Sequence, residues 1–200
     1  MTRSALIRRG RAHVFGDNVP LDEGVMAFKY AIQRITDPAE LIPHLFEPLD
    51  PTFAGRVAEG DIVVAGSEFG CGKPHIQGFI AMAALGMGVI CGSMPYKALR
   101  GAVSRGLPVL TGSSNAADWV QSGDEIEVDF ASGEIRNLSR KLEHRLPAMP
   151  EVLQGIIAQG GAQGQLAAWL DEHSAQRAPH NSPSVLFSGS PVSVVRRQPA

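Results

Sequence analysis

Hydrophobic and polar positions fall into two regimes along this chain. Between residues 61 and 112, short apolar runs alternate with helix-period stripes. DIVVA (61–65) is apolar almost throughout, as in a strand buried on both faces. Ile76, Phe79, Ile80, Ala83 and Ala84 then recur at helical spacing, and Gly86 and Gly88 end the stripe. GVICGS (88–93) predicts a second buried strand. KALRGAVSRG (97–106) predicts a helix closed by Gly106, and LPVLTG (107–112) a third strand. A β-α-β-α-β series of this kind implies parallel strands joined by crossover helices.

The flanks read differently. RGRAHVF (9–15) predicts a first strand, followed by a turn at Gly16-Asp17-Asn18. PAELIPHLF (38–46) carries helix-start signals: Asp37 as N-cap, Pro38 at the first position, and Glu40 in the first turn. Pro43 makes that helix short or kinked. From 124 to 138 the period is two, with Ile126, Val128 and Phe130 set against Glu125, Glu127 and Asp129. That predicts a hairpin around Ala131-Ser132-Gly133. PEVLQGIIAQGG (150–161) and GQLAAWL (164–170) read as short helices. Residues 171–200, rich in Ser, Pro and Arg without periodicity, read as a flexible tail after a domain spanning 1–170.

Two hundred residues suffice for one domain and a tail. A formal net charge of −2 argues against a nucleic-acid partner, since phosphates demand a basic surface. No apolar run approaches the roughly 18 residues of a membrane span, and MTRSALIRRG lacks the apolar core of a secretory signal. A cytoplasmic protein is expected. Cys71 and Cys91 read as small reduced residues of the interior, without ligand-spaced partners for zinc or an iron–sulfur cluster. Trp119 and Trp169 read as packing anchors.

The candidate chemistry lies in GSEFGCGKPHIQG (66–78). A P-loop requires Gly at 67 and Ser or Thr at 74, where this chain has Ser67 and Pro74. A dinucleotide fingerprint requires Gly at 75, where His75 stands. What remains is a cradle. Gly70 and Gly72 permit φ > 0 and expose N–H groups, Pro74 suits the first helical position, and a helix N-terminus favours an anion. Lys73 and His75 add charge and proton-transfer capacity. The bland alternative is a strand-to-helix turn whose glycines only satisfy geometry.

The order of motifs adds to this. GRAHVFGDNVPLD (10–22) leads into TDPAELIPHLFEPLDPTFAGRVAEGDIVVAGSEFGCG (36–72). RGLPVL (105–110), GDEIEVDFASGEIRNL (123–138) and QGIIAQGG (154–161) follow. In this succession the chain resembles the small subunits of the 3-isopropylmalate dehydratase branch of the aconitase superfamily, from about residue 10 to about 170. The resemblance implies an α/β fold of the swivelling β/β/α type. It also implies removal and re-addition of water on a hydroxy di- or tricarboxylic acid. The 4Fe-4S cluster that serves this chemistry is expected on a separate large subunit, with none bound by this chain.

The family reads Ser-Ser-Arg-Glu after Gly-Cys-Gly, whereas this chain has Lys73-Pro74-His75-Ile76. Lys73 thus stands where a catalytic serine is expected and His75 where an arginine grips substrate. Asp22 matches the last aspartate of the opening motif. Lys29 and Arg100 are counterparts of family basic residues, with Tyr96 and Lys97 near Arg100. The resemblance therefore implies Lys73, His75 and Asp22 as catalytic, with Lys73 as the base. It implies Gly70, Cys71, Gly72, Lys29 and Arg100 as substrate-binding. Three readings stay open: a hydro-lyase subunit of altered specificity, a related elimination on a substrate with fewer carboxylates, and a paralogue that has become a non-enzymatic partner or acid-binding domain.

Overall fold

The computed structural model describes residues 6–113 and 118–174. Its centre is a seven-stranded sheet in the order β4-β3-β2-β1-β5-β6-β7, with β1 at Ile7–Val14, β2 at Ile62–Ala65, β3 at Gly88–Cys91 and β4 at Val109–Thr111. These four strands are parallel, as the alternation of apolar runs and helical stripes predicts. Strands β5 (Glu125–Asp129), β6 (Glu134–Asn137) and β7 (Leu142–Arg145) form an antiparallel meander on the other flank. The hairpin at 131–133 is present. Strand β7, whose sequence LEHR is polar and largely exposed, carries no signal that pattern reading detects.

β1 serves both halves. Its residues 7–11 pair antiparallel with β5 and its residues 12–14 pair parallel with β2. Alternate residues of β2 enter separate cores. Val63 and Ala65 face one side with Phe53, Phe69 and Phe79, while Ile62 and Val64 face the other with Ile126, Val128, Phe130 and Trp119. Both faces of the central strands are therefore dry, which accounts for their unbroken apolar sequence. Asp61 locks β1 to the loop before β2. Its Oδ1 accepts the Arg11 N–H at 2.8 Å, and its Oδ2 accepts the Ala58 N–H at 2.9 Å and lies 2.8 Å from His13 Nε2. Gly10 lets this carboxylate approach, since a Cβ there would lie 2.7 Å from Asp61 Oδ1.

The helices are α1 (Phe28–Ile32), α2 (Pro38–Leu41), α3 (Gln77–Ala84), α4 (Tyr96–Ser104), α5 (Glu151–Ala158) and α6 (Gly161–Glu172). Helix α2 starts as predicted, with the Asp37 side chain accepting the Ala39 N–H at 2.9 Å; it passes into a 3₁₀ turn at Ile42–His44, where Pro43 removes a donor. Helix α3 ends at Gly86 (φ 61°), with Met87 N–H bonded to Met82 O and Gly86 N–H to Ala83 O, a paired terminus that glycine makes possible. The anchor role of Trp119 fits its burial. Trp169 departs from it: it is 53% exposed and stacks on His173 at a centroid distance of 4.4 Å, its helix turning that face away from both cores. Of the region read as a tail, residues 171 and 172 still belong to α6, and 175–200 lie outside the described residues.

Candidate active site

The turn at 66–76 emerges at the carboxyl end of β2, where open parallel sheets place their ligands. Gly70 (φ 81°) and Gly72 (φ 84°) both adopt the left-handed conformation that the sequence implies. At Gly70 space is also short, since a Cβ would lie 3.1 Å from that of Ala98 in α4.

After Gly72 the chain departs from expectation. Helix α3 begins at Gln77, with Ile76 as its N-cap, so Pro74 is not its first residue and His75 not part of its first turn. Instead the His75 N–H closes onto the Lys73 carbonyl at 2.9 Å around Pro74, whose fixed φ suits the middle of so tight a turn. The amide cradle is narrower than predicted as well. The Gly70 N–H is donated to Val19 O and the Cys71 N–H to Glu68 O, so neither can grip an anion. That leaves the amides of Gly72 and Lys73, both exposed residues.

Loop 19–28 docks on this turn. Leu21 N–H donates to Cys71 O at 3.2 Å, and Val25 rests on Gly78 so closely that a Cβ there would lie 2.3 Å from Val25 Cγ1. The loop is held internally by Val25 N–H to Pro20 O and Met26 N–H to Leu21 O. Glu23 takes φ 59° and Glu68, before the turn, φ 58°; non-glycine residues pay for that conformation, and here they flank the site.

This docking brings Asp22 onto His75. Both carboxylate oxygens lie within hydrogen-bond distance of His75 Nδ1, at 2.7 and 2.9 Å. A carboxylate accepts only, so Nδ1 carries the proton and Nε2 is left for another partner. The two side chains are 21% and 37% exposed. Lys73 is exposed, with Nζ 5.8 Å from the centroid of Phe28, and the Phe28 ring lies 5.0 Å from the imidazole.

Three of the residues singled out from sequence, Lys73, His75 and Asp22, are thus neighbours, joined by Phe28, which sequence reading missed. A lone aromatic far along the chain from the turn gives no spacing signal. Lys29 and Arg100 are not brought into the cluster. Lys29 Nζ lies over Tyr30 at 4.9 Å, and the Arg100 guanidinium over Tyr96 at 5.6 Å. Arg100 instead lines a largely apolar groove of about 750 Å³ among α4, α5 and α6, together with Tyr96, Lys97, Leu153 and Ile156; it reaches the turn only at Pro74. Asp22 and His75 do not line this groove. Cys71 is half-buried, while Cys91 on β3 is fully buried, and burial pushes its thiol up to about 12. Among the described residues no group of three or more His, Cys, Asp or Glu side chains is placed to hold a metal, and no helix is long and apolar enough to cross a membrane.

No family model matches the chain. Comparison with individual proteins is decisive. The chain is 38% identical over 157 residues to the 3-isopropylmalate dehydratase small subunit of Moorella thermoacetica, covering 78% of this chain and 92% of that one. The chain belongs to the 3-isopropylmalate dehydratase small-subunit family. Within that family it is also 36% identical over 154 residues to the 2,3-dimethylmalate dehydratase small subunit of Eubacterium barkeri, covering 76% of this chain and 92% of the relative. The crystal structure of 3-isopropylmalate dehydratase from Methanocaldococcus jannaschii superposes with a TM-score of 0.76 at 32% identity, over 85% of this chain and 99% of that one. The expected swivel-type α/β fold is therefore the one observed, and the chain is a hydro-lyase small subunit, a name that implies a larger partner.

Proposed function

We propose that this small subunit contributes the acid–base side of a dehydratase site for a hydroxy-dicarboxylic acid, an alkyl-substituted malate being the first candidate. Two relatives, named for 3-isopropylmalate and 2,3-dimethylmalate, support that substrate class. The observation that carries the reading is the Asp22–His75 contact.

Reversible dehydration takes a proton from the carbon beside a carboxylate and a hydroxyl from its neighbour. With Nδ1 engaged by Asp22, the free Nε2 of His75 accepts that proton, and the adjacent carboxylate stabilises the imidazolium that forms. In the hydration direction the same nitrogen returns it. Proton transfer thus falls to His75, which has a carboxylate partner, rather than to Lys73. Lys73, exposed on the rim, pairs with a substrate carboxylate, helped by the Gly72 and Lys73 amides. Lys29 and Arg100, which lie over Tyr30 and Tyr96, are given no direct part in it.

Among the described residues no group of three or more His, Cys, Asp or Glu side chains is placed to hold an iron–sulfur cluster. A 4Fe-4S cluster is assigned to the large partner subunit, where it would supply Lewis acidity toward the leaving hydroxyl. The openness of the dyad supports a site completed by that partner. The test is co-expression with a cluster-binding large subunit and anaerobic assay against a panel of hydroxy acids. His75→Ala should lower kcat by about 100-fold or more. Full activity in both His75→Ala and Lys73→Ala would overturn these roles.

A further inference from the structure

Among the described residues, Phe28 is the aromatic ring in contact with both groups assigned to the chemistry. It opens α1, and its N–H donates to Glu23 Oε1 at 2.8 Å, so the start of the helix is pinned to the same loop that carries Asp22. The imidazole of His75 lies across the ring at 5.0 Å with an interplanar angle of 37°, and the Lys73 ammonium sits 5.8 Å from its centroid. Asp22 restrains His75 through Nδ1. Lys73 has no such restraint, because no ion pair holds it among the described residues. It also projects from a turn between Gly72 and Pro74, on a side chain with several free rotors. The ring face is negative and attracts a cation over it.

We propose that Phe28 is a positioning residue, a platform whose face sets the spacing between the Lys73 ammonium and the His75 imidazole. The platform fixes where a substrate carboxylate bound to Lys73 lies relative to the nitrogen that moves the proton. This inference rests on the roles given above to Lys73 and His75. Its consequence is specific: ring shape matters at position 28, and bulk alone does not. Phe28→Tyr keeps the aromatic face, whereas Phe28→Leu fills a similar space without it.

The experiment has two arms. In the isotope-labelled full chain, Phe28→Leu should move the His75 ring-proton and Lys73 ε-methylene resonances downfield, because the aromatic shielding above them is gone. Ile32→Leu on the exposed side of α1 should leave both unmoved. In the complex with the large subunit, Phe28→Leu should lower kcat/KM by about 5- to 30-fold, and Phe28→Tyr should restore it to near the wild-type value. Absence of shielding in the wild-type chain overturns the proposal whether or not Phe28→Leu folds. So does equal activity of the leucine and tyrosine variants while His75→Ala and Lys73→Ala are impaired, and that outcome leaves the roles of Lys73 and His75 standing. Unimpaired His75→Ala and Lys73→Ala variants overturn those roles and the platform with them.

Discussion

Asp22 and His75, 53 positions apart in sequence, meet through both carboxylate oxygens and a single imidazole nitrogen. A bond of this type fixes the ring's tautomer as well as its orientation. Asp22→Asn preserves the shape but loses the charge that stabilises the imidazolium. It should lower kcat by about 10- to 100-fold with little change in KM. The double variant with His75→Ala should be no worse than His75→Ala alone, since the two act as one unit. Additive losses in steady-state kinetics would separate the pair.

In the proposed site Lys73, an exposed residue, acts by charge. Lys73→Met should raise KM for a dicarboxylate substrate by about 10-fold while changing kcat much less. Wild-type KM should also rise with ionic strength, as an exposed cation is screened, and the methionine variant should be far less sensitive. Initial rates across a salt series check both.

Asn137 ties the antiparallel half together away from the site. It is buried on β6, where its Nδ2 donates to Trp119 O at 2.9 Å and to Asp124 Oδ2 at 2.8 Å, and its Oδ1 accepts the Arg140 N–H at 2.9 Å. Burial alone would raise the Asp124 carboxyl, but the Asn137 amide, the Gln121 N–H and the Arg140 charge outweigh it and hold it below the ordinary value. A depressed carboxyl stabilises the fold above its unfolded pKa, near 3.8, and the contribution disappears as pH falls through the folded value. Asn137→Ala should cost about 2 kcal/mol at neutral pH and flatten the acid limb of the stability curve. Urea titrations across the acid range measure both effects.

Cys91 contributes on the alkaline side. Its thiol titrates near 9.0 when unfolded and is raised to about 12 by burial. The unfolded chain therefore loses this proton first as pH rises. The contribution is complete below about 9 and is lost progressively toward about 12, amounting to about 1 kcal/mol one pH unit above the unfolded value. Cys91→Ala should remove that slope. In the native protein iodoacetamide should label the half-exposed Cys71 and leave Cys91 until denaturant is added.

The parallel half was legible because both cores leave their mark on the same short strands. Ile62 to Ala65 has no polar residue to hide, and the stripe from Ile76 to Ala84 has one period. The edges were not: β7 is LEHR, a strand only because β6 offers it a ladder. In the candidate site, motif order pointed to Lys73, His75 and Asp22, which prove to be neighbours, but not to the form of their association. Where α3 begins depended on the tight turn around Pro74, and the lost amides of Gly70 and Cys71 on partners at Val19 and Glu68. Phe28 joins them purely through the docking of a loop, which no periodicity records. Trp169 shows the converse, a large apolar residue whose helix packs by another face.

The division of β1 between two neighbours means that its two partners become available at different times on the ribosome. Ala12 finds its partner at Ile62, but Arg9 must wait for Glu127. Once Thr111 has left the exit tunnel, the nascent polypeptide already contains every strand of the parallel half, together with Asp22, Phe28 and His75. Those three can come together while the meander is still being translated. Through that interval residues 7–11 present an unclaimed strand flank and Ile62 and Val64 an uncovered apolar face, both open to a chaperone or to a neighbouring nascent chain.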